Sequence, residues 1–237
     1  MHVVVRELDG IAEWTAAGAL YREVFGYAEP GWGLNPRLLA ALRENGGTVI
    51  GALTGDGELA GFCYGFTGLQ AGELYHYSQA AVVAVSAQGA GVGRSLKYAQ
   101  AAAARLTGVR TMRWTFDPYA LRNAHFNLAV LGATGIRFLP DFYGEPGTDR
   151  VLVSWDLTRA EGGSGRTGAG VRTGKEFGSR IVVAADEWFA APDPEDRAWL
   201  RRELLTQFAG GRNLVEVARS EGDPERVAYL FEDEADR

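Results

Sequence analysis

The 237-residue chain has little of what builds covalent or metal frameworks: one cysteine, three histidines and two methionines. Cys63 cannot close an intramolecular disulfide or assemble a zinc site by itself. It reads as a small buried hydrophobe on a strand, in a reducing compartment. His2, His76 and His125 do not fall at ligand spacing, so no metal is expected. Basic charge is also short, with 24 Lys and Arg against 30 Asp and Glu, a formal net charge of -6. Neutralising a phosphate backbone needs clustered cations, and no nucleic-acid partner is expected. No apolar run approaches the roughly 20 residues that span a bilayer, and MHVVVRELDG lacks the apolar core of a signal peptide. The expectation is a cytoplasmic chain with no membrane partner. A GxSxG elbow and a Cys/His pair are missing too, which removes the usual covalent mechanisms.

What is present is globular: 46% hydrophobic and 23% charged residues, with 32 glycines marking many turns. Val3 to Val5 begin a strand, and Ile11, Trp14, Ala17, Tyr21 and Val24 follow at helical spacing. Pro36 opens a short helix that stops at Asn45-Gly46-Gly47. Strands at Thr48 to Leu53 and Glu58 to Phe66 flank Thr54-Gly55-Asp56-Gly57, a hairpin signal. A β-rich run from Leu74 to Val85 leads into glycines, then a helix from Gly91 to Leu106 with Val92, Leu96, Ala99, Ala103 and Leu106 on one face. A strand over Arg110 to Phe116 precedes a helix opened by Asp117-Pro118, with Leu121, Ala124, Leu128 and Leu131 as its stripe. Strands are expected at Ile136 to Phe142 and Val151 to Leu157.

Residues 159–179 are rich in glycine and nearly free of large apolar side chains, and so read as a linker. Beyond them a strand at Ile181 to Ala185, a helix capped by Asp193 and opened by Pro194, and strands near Leu214 to Ala218 and Arg226 to Phe231 form a small unit. At about 55 residues its core is marginal alone, so it is expected to dock on the main domain or on a second subunit, which leaves a homodimer open.

The chemistry-bearing segment is Val82-Val83-Ala84-Val85 followed by Ser86-Ala87-Gln88-Gly89-Ala90-Gly91-Val92-Gly93-Arg94. Glycines between a strand and a helix let phosphate oxygens approach helical N–H groups that have no intrahelical partner, with the helix dipole behind them. A structural turn is the competing reading of the same glycines. A dinucleotide fingerprint fits less well, because GxGxxG needs glycine where Arg94 stands. The nucleoside-triphosphate loop fails for want of GK[ST].

With QxxGxG after the fourth strand, the order of elements resembles the GCN5-related N-acetyltransferase (GNAT) superfamily over about residues 1–157, and Gln88, Gly91 and Gly93 stand at its signature positions. WTFDP and RNAHFNL, with Tyr143-Gly144, Asp149-Arg150 and Trp155, are similar to a branch of that superfamily described only as predicted acetyltransferases. The resemblance implies an α/β (α+β) fold, a mixed, mostly antiparallel sheet flanked by helices, over 1–158. The linker at 159–179 and a small C-terminal αβ unit at 180–237 complete the chain. It implies acetyl-CoA as acyl donor and direct attack by an amine of a small molecule, the thioester lying between the strands of Val83 and Thr115. Val83 and Val85 would contact the pantetheine arm, Gln88, Gly89, Ala90, Gly91, Val92, Gly93 and Arg94 would hold the pyrophosphate, and Asn123 would meet a pantetheine amide or, in the competing reading, bond its own helix backbone. The superfamily's tyrosine acid is replaced by Leu128. Asp117, His125 and His76 are then the candidate proton carriers, with Tyr143 as another acid. Each has a structural reading as well: helix cap for Asp117, hydrogen-bonded core for the histidines, packing for Tyr143. Tyr75, Tyr77, Trp32 and Phe66 could line an acceptor pocket. A non-catalytic coenzyme-binding module is the alternative.

Overall fold

Alternation along the central strands sorts side chains onto two faces, and each face is covered by a different helix pattern. The computed structural model describes residues 2–158, 179–184, 194–220 and 223–233, which fall into two units, Met1–Trp114 and Thr115–Arg237.

The first unit contains β1 (Val3–Glu7), α1 (Gly10–Phe25), α2 (Pro36–Glu44), β2 (Thr48–Thr54), β3 (Leu59–Gln70), β4 (Glu73–Val83), α3 (Val92–Arg105) and most of β5 (Thr111–Phe116). The strands lie in the order β1-β2-β3-β4-β5, antiparallel except for the β4–β5 pair. Val49, Phe62 and Val82 face α1 and α2, packing with Leu8, Ala17, Leu20 and Leu39. Their strand neighbours Ile50, Cys63 and Val83 point the other way, toward Val92 and Leu96 of α3. This is the period-2 alternation of a sheet buried on both faces.

Three details differ from the sequence expectation. β3 and β4 form one long hairpin, turned at Ala71 and Gly72, both at positive φ. On α1, Trp14, Ala17, Tyr21 and Val24 pack on the core as their spacing implies, but Ile11 is exposed and Gly18 and Leu20 are buried; a Cβ on Gly18 would lie 2.9 Å from the Leu34 carbonyl oxygen. The third concerns β4, which closes at Val83 rather than Val85, because the chain turns into a 3-10 segment at Val85–Ala87.

The second unit holds α4 (Leu121–His125), β6 (Thr134–Leu139), β7 (Arg150–Asp156), β8 (Ser179–Ala184), α5 (Pro194–Ala209), β9 (Arg212–Ser220) and β10 (Asp223–Asp233). Its strand order is β7-β6-β9-β10-β8. α4 runs on as a π turn over Phe126–Val130, so the stripe Leu121, Ala124, Leu128 and Leu131 is buried as expected. The linker expected at 159–179 lies, except for Ser179, outside the described residues, as do Ala185 and the Asp193 cap.

The C-terminal elements dock within this unit. β9 pairs with β6 where a Cβ on Gly135 would meet Leu214 at 2.9 Å, and Phe208 stacks on Phe138. The buried Tyr229 hydroxyl donates to the Pro118 carbonyl at 2.5 Å. Tyr229→Phe leaves that carbonyl unpaired and is expected to cost about 1–2 kcal/mol in denaturant unfolding. Arg201 lies 3.2 Å from Asp149, a carboxylate that also accepts from Tyr119 Oη and the Asp141 N–H. No described helix is long and apolar enough to cross a membrane.

Candidate functional site

The turn after β4 takes its shape from two glycines in the left-handed region, Gly89 at φ 79° and Gly91 at φ 81°. Gly91 is the N-cap of α3 and offers no side chain to the helix, whose first backbone bond runs from Ser95 N–H to the Gly91 carbonyl. The N–H groups of Val92, Gly93 and Arg94 therefore have no partner inside the helix, by α-helical geometry. A Cβ on Gly89 or Gly91 would meet nothing within 4 Å. What these positions require is the backbone conformation, and the space beside them is open. Gln88, Gly89, Ala90, Gly91 and Arg94 are all exposed. The turn is braced rather than loose: Gln88 Nε2 donates to the Val83 carbonyl at 3.3 Å, and Ala84 N–H donates to Ala60 O. Val83 is the last residue of β4. Val85 stands beyond it in the 3-10 segment, 71% exposed.

β4 also offers a backbone edge. Its parallel ladder with β5 consists of His76 opposite Met112 and Tyr77 opposite Arg113, after which β4 continues to Val83 with its other edge held by β3. A register shift opposite Tyr64/Gly65 leaves Gln79 as an extra residue in β4, and such a bulge bends the strand that carries it. Exposed N–H and C=O groups along a strand are what an extended amide chain pairs with.

Behind this edge lies a buried polar chain that the sequence reading missed. Lys97, on α3 and 3% exposed, donates from Nζ to Ser78 Oγ at 2.7 Å. Ser78 Oγ donates to Gln100 Oε1 at 2.7 Å, and Gln100 Nε2 donates to Thr48 Oγ1 at 3.0 Å. Thr48 Oγ1 is 3.0 Å from His76 Nε2. Gly65 makes room for it: a Cβ there would lie 2.5 Å from His76 Nε2. His76 is 0% exposed and its Nδ1 has no hydrogen-bond partner among the described residues. Burial, with the Lys97 charge adding to it, lowers its pKa to about 4, so the ring is neutral at pH 7. Burial likewise brings Lys97 down to about 7, with Cys63 pulling the other way, and raises the Cys63 thiol to about 12.

The other predicted residues fall as follows. Asp117 Oδ1 accepts the Tyr119 N–H at 2.8 Å, holding the turn before α4. Asn123 is exposed on α4. His125, half-buried at the end of α4, has its pKa lowered by burial against the opposing pull of Glu216. Tyr143 is exposed, with the Arg150 guanidinium 5.1 Å from its ring centre. Tyr75 lies under the Arg113 guanidinium, Tyr77 tilts against Phe66, and exposed Trp32 meets Tyr27 edge-on. Val83, Val85, residues 88–94 and His76 are thus gathered in the first unit, and Asp117, Asn123 and His125 belong to the second. Among the described residues no three His, Cys, Asp or Glu side chains are grouped to hold a metal ion.

No protein-family model matches the chain, and no curated protein matches it. Solved structures do. A provisionally assigned GNAT-family acetyltransferase from Desulfovibrio desulfuricans is 21% identical, with 66% of this chain and 99% of that one covered and a TM-score of 0.52. A provisionally assigned acetyltransferase from Salmonella typhimurium, solved with acetyl-CoA, is 18% identical over 68% of this chain and 97% of that one, at 0.54. An aminoglycoside 6'-acetyltransferase of type Ii is 15% identical over 67% and 99%, at 0.51. The chain has the mixed α/β, mostly antiparallel fold of the GNAT acetyltransferases.

Proposed function

We propose that a chain with this fold and this glycine turn is an acyl-CoA-dependent N-acyltransferase, moving acetyl from acetyl-CoA to an amine of a small molecule by direct attack in a ternary complex. The observation that carries the reading is the head of α3. Two left-handed glycines with open space beside them lead into helical N–H groups that have no side-chain cap, shortly after a strand whose described ladder with β5 ends at Tyr77. Helix N-termini of this kind stabilise phosphate through their N–H groups and dipole.

Val92, Gly93 and Arg94 would hold the pyrophosphate through backbone N–H groups, with the Arg94 guanidinium adding charge. The β4 edge from Ser78 to Val83 would pair with the amides of the pantetheine arm. Bound acetyl-CoA supplies the thioester. The amine must then be held in line with the thioester and lose a proton, and the departing thiolate must gain one. In this reading 1–158 is the acyltransferase domain and 180–237 braces its 118–149 segment through Arg197, Arg201 and Tyr229.

Leu128, 1% exposed at the position of the expected tyrosine acid, favours a second reading, a coenzyme-binding module without turnover. Calorimetry with CoA and an acetyl-transfer assay over a panel of amines separate the two. Saturable binding with transfer to at least one amine is expected. Tight binding without transfer to any amine favours the module, and no binding overturns both.

A further inference from the structure

Ser78 and Trp114 are the residues that directly follow the two ladder pairs of β4 and β5, and the Lys97 amine lies between them. Its Nζ is 2.7 Å from Ser78 Oγ on one strand and 3.8 Å from the centre of the Trp114 ring on the other. The side chain reaches this point from α3, the helix whose head forms the glycine turn. From Val83, at the turn end of β4, back to Ser78 is five residues, roughly 17 Å of strand at about 3.3 Å per residue. A ligand arm that starts at the α3 N-terminus and follows the β4 edge runs toward Lys97.

The surroundings are unusual for a lysine. Among the described residues Lys97 makes one side-chain hydrogen bond, to a neutral hydroxyl, and the titratable groups that sense its charge are Cys63 on β3 and His76 on β4. No carboxylate is among its ion pairs in the described residues. A buried ammonium without an anion is costly, and an anion brought beside it is correspondingly favoured. Ser78 spends its proton on Gln100 Oε1, so it presents a lone pair to Lys97, and the bond from Gln100 to Thr48 holds that orientation. The polar chain thus fixes Nζ in place while leaving other N–H bonds of the amine for a ligand.

We propose that Lys97 is the catalytic acid of the thioester site, giving a proton to the coenzyme sulfur as it departs. This rests on the acyltransferase reading above. The acceptor nitrogen forms its bond to the acyl carbon and the carbon–sulfur bond breaks. The Lys97 ammonium protonates the sulfur, and the proton shed by the acceptor nitrogen passes to water, from which Lys97 is recharged. A lysine that burial brings near neutrality suits such a transfer at pH 7. Ser78, Gln100 and Thr48 act as positioning residues.

The test uses the full chain and CoA carrying its free thiol. Calorimetry establishes binding, and ultraviolet absorbance of the thiolate is then followed against pH for free CoA, CoA bound to the native protein and CoA bound to Lys97→Met. A cation within about 4–6 Å lowers a thiol pKa by about 1–3. The bound thiol is therefore expected to hold about tenfold more thiolate at pH 7 than free CoA, and Lys97→Met to return it to the free value. Binding with the same thiol titration as free CoA, or an equally lowered thiol pKa in Lys97→Met, overturns the role of Lys97 and leaves the coenzyme reading standing. Absence of CoA binding overturns that reading and this role with it. The comparison of bound with free CoA can overturn the role even if the variant fails to fold.

Discussion

Gly91→Val is expected to weaken coenzyme A binding by at least about 100-fold, about 2.7 kcal/mol, in a chain that still folds. Gly91 sits at φ 81° and ψ 0°, a conformation that a β-branched residue adopts only with strain. The protein itself does not crowd the position, since a Cβ there meets nothing within 4 Å. The variant should therefore lose only about 1–2 kcal/mol of stability. Binding suffers more, because the new side chain stands where a phosphate must approach the N–H groups, and relaxation of the turn re-aims those groups. Gly108→Val is the control. Gly108 also lies in the left-handed region, at φ 83°, with open space beside it, and it follows the other end of α3. It should show a similar loss of stability with unchanged CoA affinity. Calorimetry with denaturant unfolding on both variants separates strain from binding.

Lys97→Met is expected to make the protein more stable at pH 7 by about 2 kcal/mol. The folded lysine titrates at about 7, against the ordinary 10.5. Between those values the unfolded chain binds a proton that the folded chain does not, so stability falls as pH falls across the window. Each tenfold loss of proton affinity corresponds to about 1.4 kcal/mol, giving roughly 5 kcal/mol of accumulated penalty near pH 7. The lost Ser78 hydrogen bond and the contact with Trp114 offset about half of it. Unfolding of native protein and variant from pH 10 to pH 7 checks this. The native protein should lose stability toward pH 7, the variant should lose less, and equal slopes would contradict the burial argument. A residue whose removal stabilises the fold is held for another purpose, consistent with the acid role proposed for it.

The contrast between the glycine turn and Lys97 shows what a sequence can carry. Gln88, Gly91 and Gly93 are close in the chain, and their spacing between a strand and a helix is itself the signal. Lys97 carries no such mark. Its partners Ser78 and Trp114 lie 19 and 17 positions away, and α3 is so rich in alanine that its apolar periodicity is weak. The helix buries Lys97, Gln100, Ala101 and Ala104 along with Val92 and Leu96, while Leu106, expected on the apolar face, is 90% exposed beyond the helix end. The spacing from Lys97 to Ala101 and Ala104, and from Leu96 to Gln100, was the available clue. Local conformations without a favoured residue type were equally hidden. Ala71 takes a left-handed φ of 51° at the β3–β4 turn with no Asn-Gly or Asp-Gly to announce it, and the π turn at Phe126–Val130 interrupts a stripe that reads as ordinary α-helix. Strands were legible where β-rich runs flank a turn signal, as in Thr48 to Leu53 and Glu58 to Phe66. They were less so where a strand end is decided by the turn that follows, as at Val83.

The most direct test of the central claim is a crystal structure of the full chain with coenzyme A. The account predicts pyrophosphate oxygens within about 3 Å of the N–H groups of Val92, Gly93 and Arg94, the distance of a hydrogen bond to an anion. It also predicts the pantetheine arm along the β4 edge between Val83 and Ser78. Coenzyme bound elsewhere, with the head of α3 bare, would contradict it.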